Sequence, residues 1–236
     1  MDMNTELEAE CKSIGLENER SLHASLKKWY AISGDRLEVR IDGYIIDLVR
    51  NDILIEIQTR NFSAMGKKLR KLVLDHKVRL IHPIAITKWI VKLEGDGETI
   101  ISRRKSPKTG SIYNLFDELI RIPDLMNNDN FSIEVLMIIE EEIRIDDGKG
   151  SWRRKGVSIS DRRLLEVVKK VKLIDKYDFS IFIPESIDKP FSNKTLSKAV
   201  GVPLSKARKA TYCLKKMHLI KEVGKKGNEL LFELNN

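Results

Sequence analysis

Asp47 and Glu56 are the residues whose types and spacing best suit hydrolytic chemistry. Asp47 lies inside the apolar run Tyr44-Ile45-Ile46-Asp47-Leu48-Val49, and Glu56 lies between Ile55 and Ile57. An unpaired carboxylate is costly to bury, so both need partners. The two runs read as strands, and strand side chains alternate between faces. Leu54, Glu56 and Gln58 therefore share one face, and Ile53, Ile55 and Ile57 the other. With Asn51-Asp52 as a two-residue turn, Arg50 opposes Ile53 and Asp47 opposes Glu56, at a Cβ separation of about 4.5–5.5 Å. A slip of one residue would move one carboxylate to the opposite face. Two carboxylates that close repel unless a cation lies between them. Their hard oxygens suit Mg²⁺ (or Mn²⁺), an ion that activates water and stabilises a phosphoryl transition state. In this reading Asp47, Glu56 and the Ile57 carbonyl hold the metal, and Gln58 orients water. The competing reading is a solvated acidic strand face, which the apolar flanks of both acids disfavour.

The elements that must position this pair follow from periodicity. Residues 5–31 read as a helix with Leu22, Leu26, Trp29 and Tyr30 in one stripe, stopped by Ser33-Gly34-Asp35. Leu37 to Ile41 alternates, and Asp42-Gly43 is a strong turn signal. A basic helix is expected over about 63–76, with Phe62, Met65, Leu69 and Leu72 on one face. Strands are expected over 78–86, 89–93 and 99–103, and a short helix over 113–120 ends before Pro123. Residues 131–145 suit a long strand, although the run Glu140-Glu141-Glu142 also permits a helix. The polar, turn-rich stretch 146–151 marks a boundary between a domain at 1–148 and a second at 149–236.

Helix, acid-bearing hairpin and basic helix in this order resemble the PD-(D/E)XK nuclease superfamily. The resemblance covers roughly residues 10–95 and implies an α/β, restriction-endonuclease-like mixed sheet flanked by helices. It makes Asp47 the first acid and Glu56 the second, and it puts Gln58 where a lysine usually stands. Lys68 or Lys71 on the following helix could supply that cation instead. Glu19, with Glu17 as the alternative, matches the glutamate that the superfamily's first helix often adds. The implied activity is endonucleolytic hydrolysis of phosphodiester bonds with Mg²⁺.

The charge distribution points the same way. The chain of 236 residues has a formal net charge of +8. Residues 1–148 carry 22 basic and 26 acidic side chains, whereas residues 149–236 carry 21 and 9. A strongly basic second part suits a polyanion partner. Arg162 to Ile174 reads as a basic amphipathic helix. From Phe191 onward, a helix over 194–200, a Gly201-Val202-Pro203-Leu204 turn, a helix over 205–218 and a hairpin with Lys225-Lys226 at its tip resemble a winged helix-turn-helix. Ala210, Leu214 and Met217 face the core of that module. Such a module places its second helix in the major groove and its wing on the backbone. The expected DNA contacts are Ser205, Lys206, Lys209, Thr211, Lys225 and Lys226. The alternative to a nuclease is a DNA-binding regulator or defence-system accessory whose nuclease-like fold has lost catalysis. A protein–protein adaptor is a weaker third reading.

Other features carry less. The four histidines are scattered, and no Cys/His spacing suggests zinc. Trp152 beside Arg153-Arg154-Lys155 suits either stacking on a base and gripping a phosphate or a basic linker. Cys11 and Cys213 are far apart, which argues against a disulfide framework. With no secretory pattern at the N-terminus and no apolar run near 18 residues, the expected setting is cytoplasmic, without a membrane span. A homodimer would serve cleavage of both strands.

Overall fold

The computed structural model describes residues 22–235. Glu17, Glu19, Cys11 and most of the expected first helix lie outside the described residues. The helix α1 (Leu22–Tyr30) buries Leu22, Leu26 and Tyr30, the i, i+4, i+8 set of an amphipathic helix. It ends where Asp35 accepts a hydrogen bond from the Ile32 N–H at 3.0 Å.

Seven strands form one mixed sheet. They are β1 (Arg36–Ile41), β2 (Tyr44–Arg50), β3 (Ile53–Ile57), β4 (Lys77–Leu93), β5 (Ile100–Lys105), β6 (Phe131–Ile145) and β7 (Ser158–Leu173). The order is β1-β2-β3-β4-β6-β7, with β5 pairing β4 beyond the end of β3. The β3/β4 and β4/β6 pairs are parallel, and the others are antiparallel. The helix α2 (Phe62–Leu72) connects β3 to β4 and buries Phe62, Leu69 and Leu72 against the sheet. The segments expected at 78–86 and 89–93 are one continuous strand, β4. The alternative of a helix at 131–145 is not taken up.

The sheet has a helix layer on each face. On one side α1 packs with Leu48, Ile55, Ile57, Ile81, Leu136 and Ile138. On the other, α2 and α3 (Leu115–Leu119) cover Leu54, Leu80, Ile84 and Val135.

The same core continues into the C-terminal part. That part comprises β8 (Phe191–Ser192), α4 (Asn193–Val200), α5 (Leu204–Lys216), β9 (Ile220–Lys226) and β10 (Glu229–Leu234). The three strands pair in the order β8-β10-β9. Ser192 caps α4, its hydroxyl accepting from the Thr195 N–H at 3.2 Å, and Gly201 ends it with φ 65°, a backbone conformation that glycine adopts without strain. Ala210, Leu214 and Met217 are fully buried, as their spacing predicts. Tyr113, Phe116, Phe179 and Phe182 pack edge-to-face or tilted where α3 meets the 176–182 turn, and the Tyr113 hydroxyl donates to the Phe182 carbonyl at 2.8 Å.

The segment expected as a basic helix at 162–174 is instead part of β7, paired antiparallel with β6. The pairing register shifts three times along this pair. Each shift breaks the strict alternation by which a strand is read from sequence. The basic segment 149–173 therefore belongs to the large sheet and its last hairpin, and the sheet runs past the expected boundary at 148. Among the described residues, no helix is long and apolar enough to cross a membrane.

Candidate active site

Asn51 takes φ 53° in the turn between β2 and β3, and the strands pair as Arg50↔Ile53, Val49↔Leu54 and Leu48↔Ile55. The paired stretch ends there, one residue short of Asp47 and Glu56. The alternation of β2 breaks here: Ile46 packs on the α2 side and Leu48 on the α1 side. Across the β1/β2 ladder, Glu38 falls opposite Asp47 and takes a left-handed φ of 52°.

The two acids are approached from different layers. From α1, His23 Nε2 lies 3.2 Å from Asp47 Oδ2, and the Ile57 N–H donates to the same oxygen at 2.9 Å. From α2, Lys68 Nζ lies 2.6 Å from Glu56 Oε1 while donating to the Ile45 carbonyl at 2.6 Å. That oxygen is buried, and the Lys68 ammonium is its ion-pair partner.

These surroundings move the acids in opposite directions. Burial pushes Glu56 up, Lys68 pulls it back only in part, and the charge of Asp47 adds to the rise. Burial also pushes on Asp47, but the hydrogen bonds from His23 and the Ile57 N–H outweigh it and leave this acid below its ordinary value. His23 is raised chiefly by its hydrogen bond to Asp47. Neighbouring acids driven apart in this way are a recurrent property of catalytic sites. Glu56 is only 4 % exposed. Beyond the end of β3 a cleft of about 320 Å³ is lined by His23, Thr59, Arg60, Ser160, Asp161 and Arg162, with His23 the member that also touches Asp47. Its place at the carboxyl end of β3 is where α/β sheets commonly take ligands.

Other expected site residues lie elsewhere. The Gln58 side chain is turned onto the loop, donating to the Arg60 carbonyl at 2.6 Å and the Asn61 carbonyl at 3.3 Å. It does not stand over the acid pair as a water-orienting group would. The Gln58 main chain is used as well. Pro83 brings no N–H to the β3/β4 ladder, and the Gln58 carbonyl is 2.8 Å from buried His82 Nδ1 instead. Among the described residues, no group of three or more His, Cys, Asp or Glu side chains is disposed to hold a metal ion. An ion here would need the two carboxylates, main chain, water and substrate phosphate. That is how Mg²⁺ is ordinarily held.

The expected face of α5 is turned inward. Lys206 donates to Asn114 Oδ1 at 2.6 Å and lies 3.3 Å from Asp117. Lys209 pairs with Asp117 at 2.7 Å. Thr211 is buried and donates to Asn193 Oδ1 at 2.6 Å. These three residues fasten α5 to the first domain and to α4. Ser205, Arg208, Tyr212, Lys215 and Lys216 form its exposed face, and Lys225 and Lys226 are exposed on the hairpin. His23 and the exposed Arg208 were not singled out by sequence reasoning.

A family model described as "Domain of unknown function (DUF8091)" matches residues 20–174. The chain belongs to the DUF8091 family. The matched DUF8091 region contains Asp47, Glu56, Lys68 and the whole seven-stranded sheet, and it ends one residue beyond β7. An uncharacterized protein of Treponema pallidum (strain Nichols) is 37% identical over 156 residues, which is 66% of this chain. The matched stretch spans 62% of that relative's length. No solved structure matches the chain significantly.

Proposed function

We propose that this protein is a metal-dependent nuclease hydrolysing phosphodiester bonds of DNA, with a restriction-endonuclease-like catalytic domain and a C-terminal winged helix-turn-helix module. The observation that carries the reading is Glu56, a carboxylate buried on β3 beside Asp47, met by the Lys68 ammonium at 2.6 Å and still held above its ordinary value by burial. Asp47, Glu56 and the Ile57 carbonyl would hold Mg²⁺ or Mn²⁺. When bound, such an ion supplies Lewis-acid stabilisation of phosphoryl charge and lowers the pKa of bound water.

The chain's own groups do the positioning. His23 and the Ile57 N–H fix one oxygen of Asp47. Lys68 brings a positive charge to Glu56 from α2, which offers a substitute for the lysine replaced by Gln58. The exposed Lys225 and Lys226, with the outward face of α5, offer phosphate contacts that hold DNA without reading its sequence. The test is Mg²⁺- or Mn²⁺-dependent nicking of plasmid DNA. Asp47→Ala and Glu56→Ala are each expected to lose at least about 1,000-fold in rate, equivalent to several kcal/mol of transition-state stabilisation, while DNA binding persists. Full cleavage by the double variant would overturn the proposal.

A second reading, a catalytically inactive DNA-binding regulator or defence-system accessory, is favoured by the engaged Gln58 side chain. It expects DNA binding with neither cleavage nor a calorimetric signal on Mn²⁺ titration.

A further inference from the structure

The hairpin joining β6 to β7 is a built tip that presents a bare tryptophan. The Gly150 N–H donates to the Gly156 carbonyl at 2.7 Å, Arg154 N–H to Ser151 at 2.8 Å, Lys155 N–H to Trp152 at 3.0 Å and Val157 N–H to Arg154 at 3.0 Å. The Arg154 guanidinium closes the loop onto the Val157 carbonyl at 3.1 Å. A Cβ on Gly150 would collide with that same carbonyl, and one on Gly156 would come within 3.1 Å of Gly148 Cα. Glycines thus let the two sides of the tip press together, which excludes the linker reading of this segment.

On this frame Trp152 is 89 % exposed, the most exposed large apolar side chain among the described residues. Trp29, 40 % exposed, lies against Lys170 and Trp89 under Arg103, so among the described residues Trp152 is the tryptophan most open to solvent. Arg153 and Lys155 flank it and form no ion pair among the described residues, whereas the acids of the tip are engaged. Asp146 pairs with Lys92 at 2.6 Å. Asp147 accepts from the Lys149 N–H and the Ser158 hydroxyl.

From this arrangement we propose that the 149–155 tip is a contact site for single-stranded nucleic acid, with Trp152 stacking on an unpaired base and Arg153 and Lys155 meeting the adjoining phosphates. An aromatic face with flanking cations is the general chemistry of single-strand binding. The tip's internal hydrogen bonds hold Trp152 in place before a strand arrives, which reduces the ordering cost of binding. A bilayer fits less well. The base of the same hairpin lies against the acidic 94–98 turn, with Glu94, Asp96 and Glu98, which disfavours anionic headgroups. The inference does not depend on the acid pair being catalytic.

Full-length protein, without divalent ions, is titrated with a 20-nucleotide dT oligomer, the matching duplex and an abasic oligomer of equal charge. Tryptophan fluorescence should be quenched by dT alone. Trp152→Ala should weaken dT binding about tenfold, the loss of one stack, and leave duplex binding unchanged. Trp152→Phe should restore most of the affinity without the quenching. Arg153→Ala/Lys155→Ala should weaken dT and abasic binding alike and flatten the salt dependence. Equal dT affinity for parent and Trp152→Ala would overturn the proposal. Quenching by phosphatidylserine vesicles but not by dT would overturn it in favour of a membrane, and the absence of any dT binding would overturn it outright. Loss of nicking by Asp47→Ala with unchanged dT quenching would leave this site standing separately.

Discussion

The acid pair between β2 and β3 and the lysine pair on α5 hold charge on opposite terms. Glu56 is almost wholly out of water, has one ammonium nearby and sits higher than an ordinary glutamate because burial dominates. Asp117 stays partly in water and is shared by two lysines, one of them also bonded to Asn114. The second arrangement adds a little attraction to a helix already docked by Ala207, Ala210 and Leu214. The first burdens the fold with a charge that packing alone would not require. Under-compensated charge in a core points to chemistry, and well-compensated charge at a seam points to assembly.

Three substitutions can break or sharpen this contrast. Lys68→Met strips the ammonium paired with Glu56 and should destabilise metal-free protein by about 3 kcal/mol near neutral pH, as for other broken buried pairs. A group raised in the folded state contributes stability that is lost as pH rises through its folded pKa. The deficit should therefore shrink as pH falls and Glu56 takes up a proton. Millimolar Mg²⁺ should also recover part of it. Denaturant melts with and without Mg²⁺ provide the measurement. A deficit that ignores both pH and Mg²⁺ would make Glu56 an ordinary structural acid.

Asp117→Ala should cost about 0.5–1 kcal/mol, the range of exposed ion pairs, and leave duplex DNA affinity unchanged. A severalfold gain in affinity would mean that the inward face of α5 is a masked DNA surface. A change of similar size is expected at Asp35, which accepts two bonds from Arg50 at 2.9 and 2.7 Å and is lowered chiefly by them. Stability from a depressed acid is present above its unfolded pKa and lost as pH falls through the folded one. Asp35→Asn should thus be weaker than the parent by roughly 1 kcal/mol at pH 7. That gap should close at acid pH in the same denaturant melts, and a constant gap would locate the effect in packing.

What the sequence makes legible depends on how local the determinant is. The β2/β3 register from Arg50↔Ile53 to Leu48↔Ile55 follows from a two-residue turn and its neighbours, so it can be read directly. Lys68 was within reach because α2 directly follows β3. β7 was not, because its shifts against β6 scatter Leu164, Leu165, Val167, Val168 and Val171 into a pattern that suits a helix as well as a strand. The face of α5 depends on Asp117, 92 residues away from Lys209, and no local pattern encodes that contact. Gln58 turned away because Arg60 and Asn61 offer carbonyls in a loop whose path the strand pattern does not specify.

β4 gives the arrangement a consequence for synthesis. It is hydrogen-bonded in parallel to β3 on one side and to β6 on the other, and parallel partners meet only after a long crossover has been made. The far edge of β6 is closed only by β7, whose last residue is Leu173. A nascent chain must therefore extend well past position 173 before this edge emerges paired from the ribosome. Until then the apolar run from Val135 to Ile139 is open to the pairing with other chains that makes exposed strands aggregation-prone. Ribosome pausing or truncation between positions 145 and 173 is the interval in which this molecule most needs a chaperone.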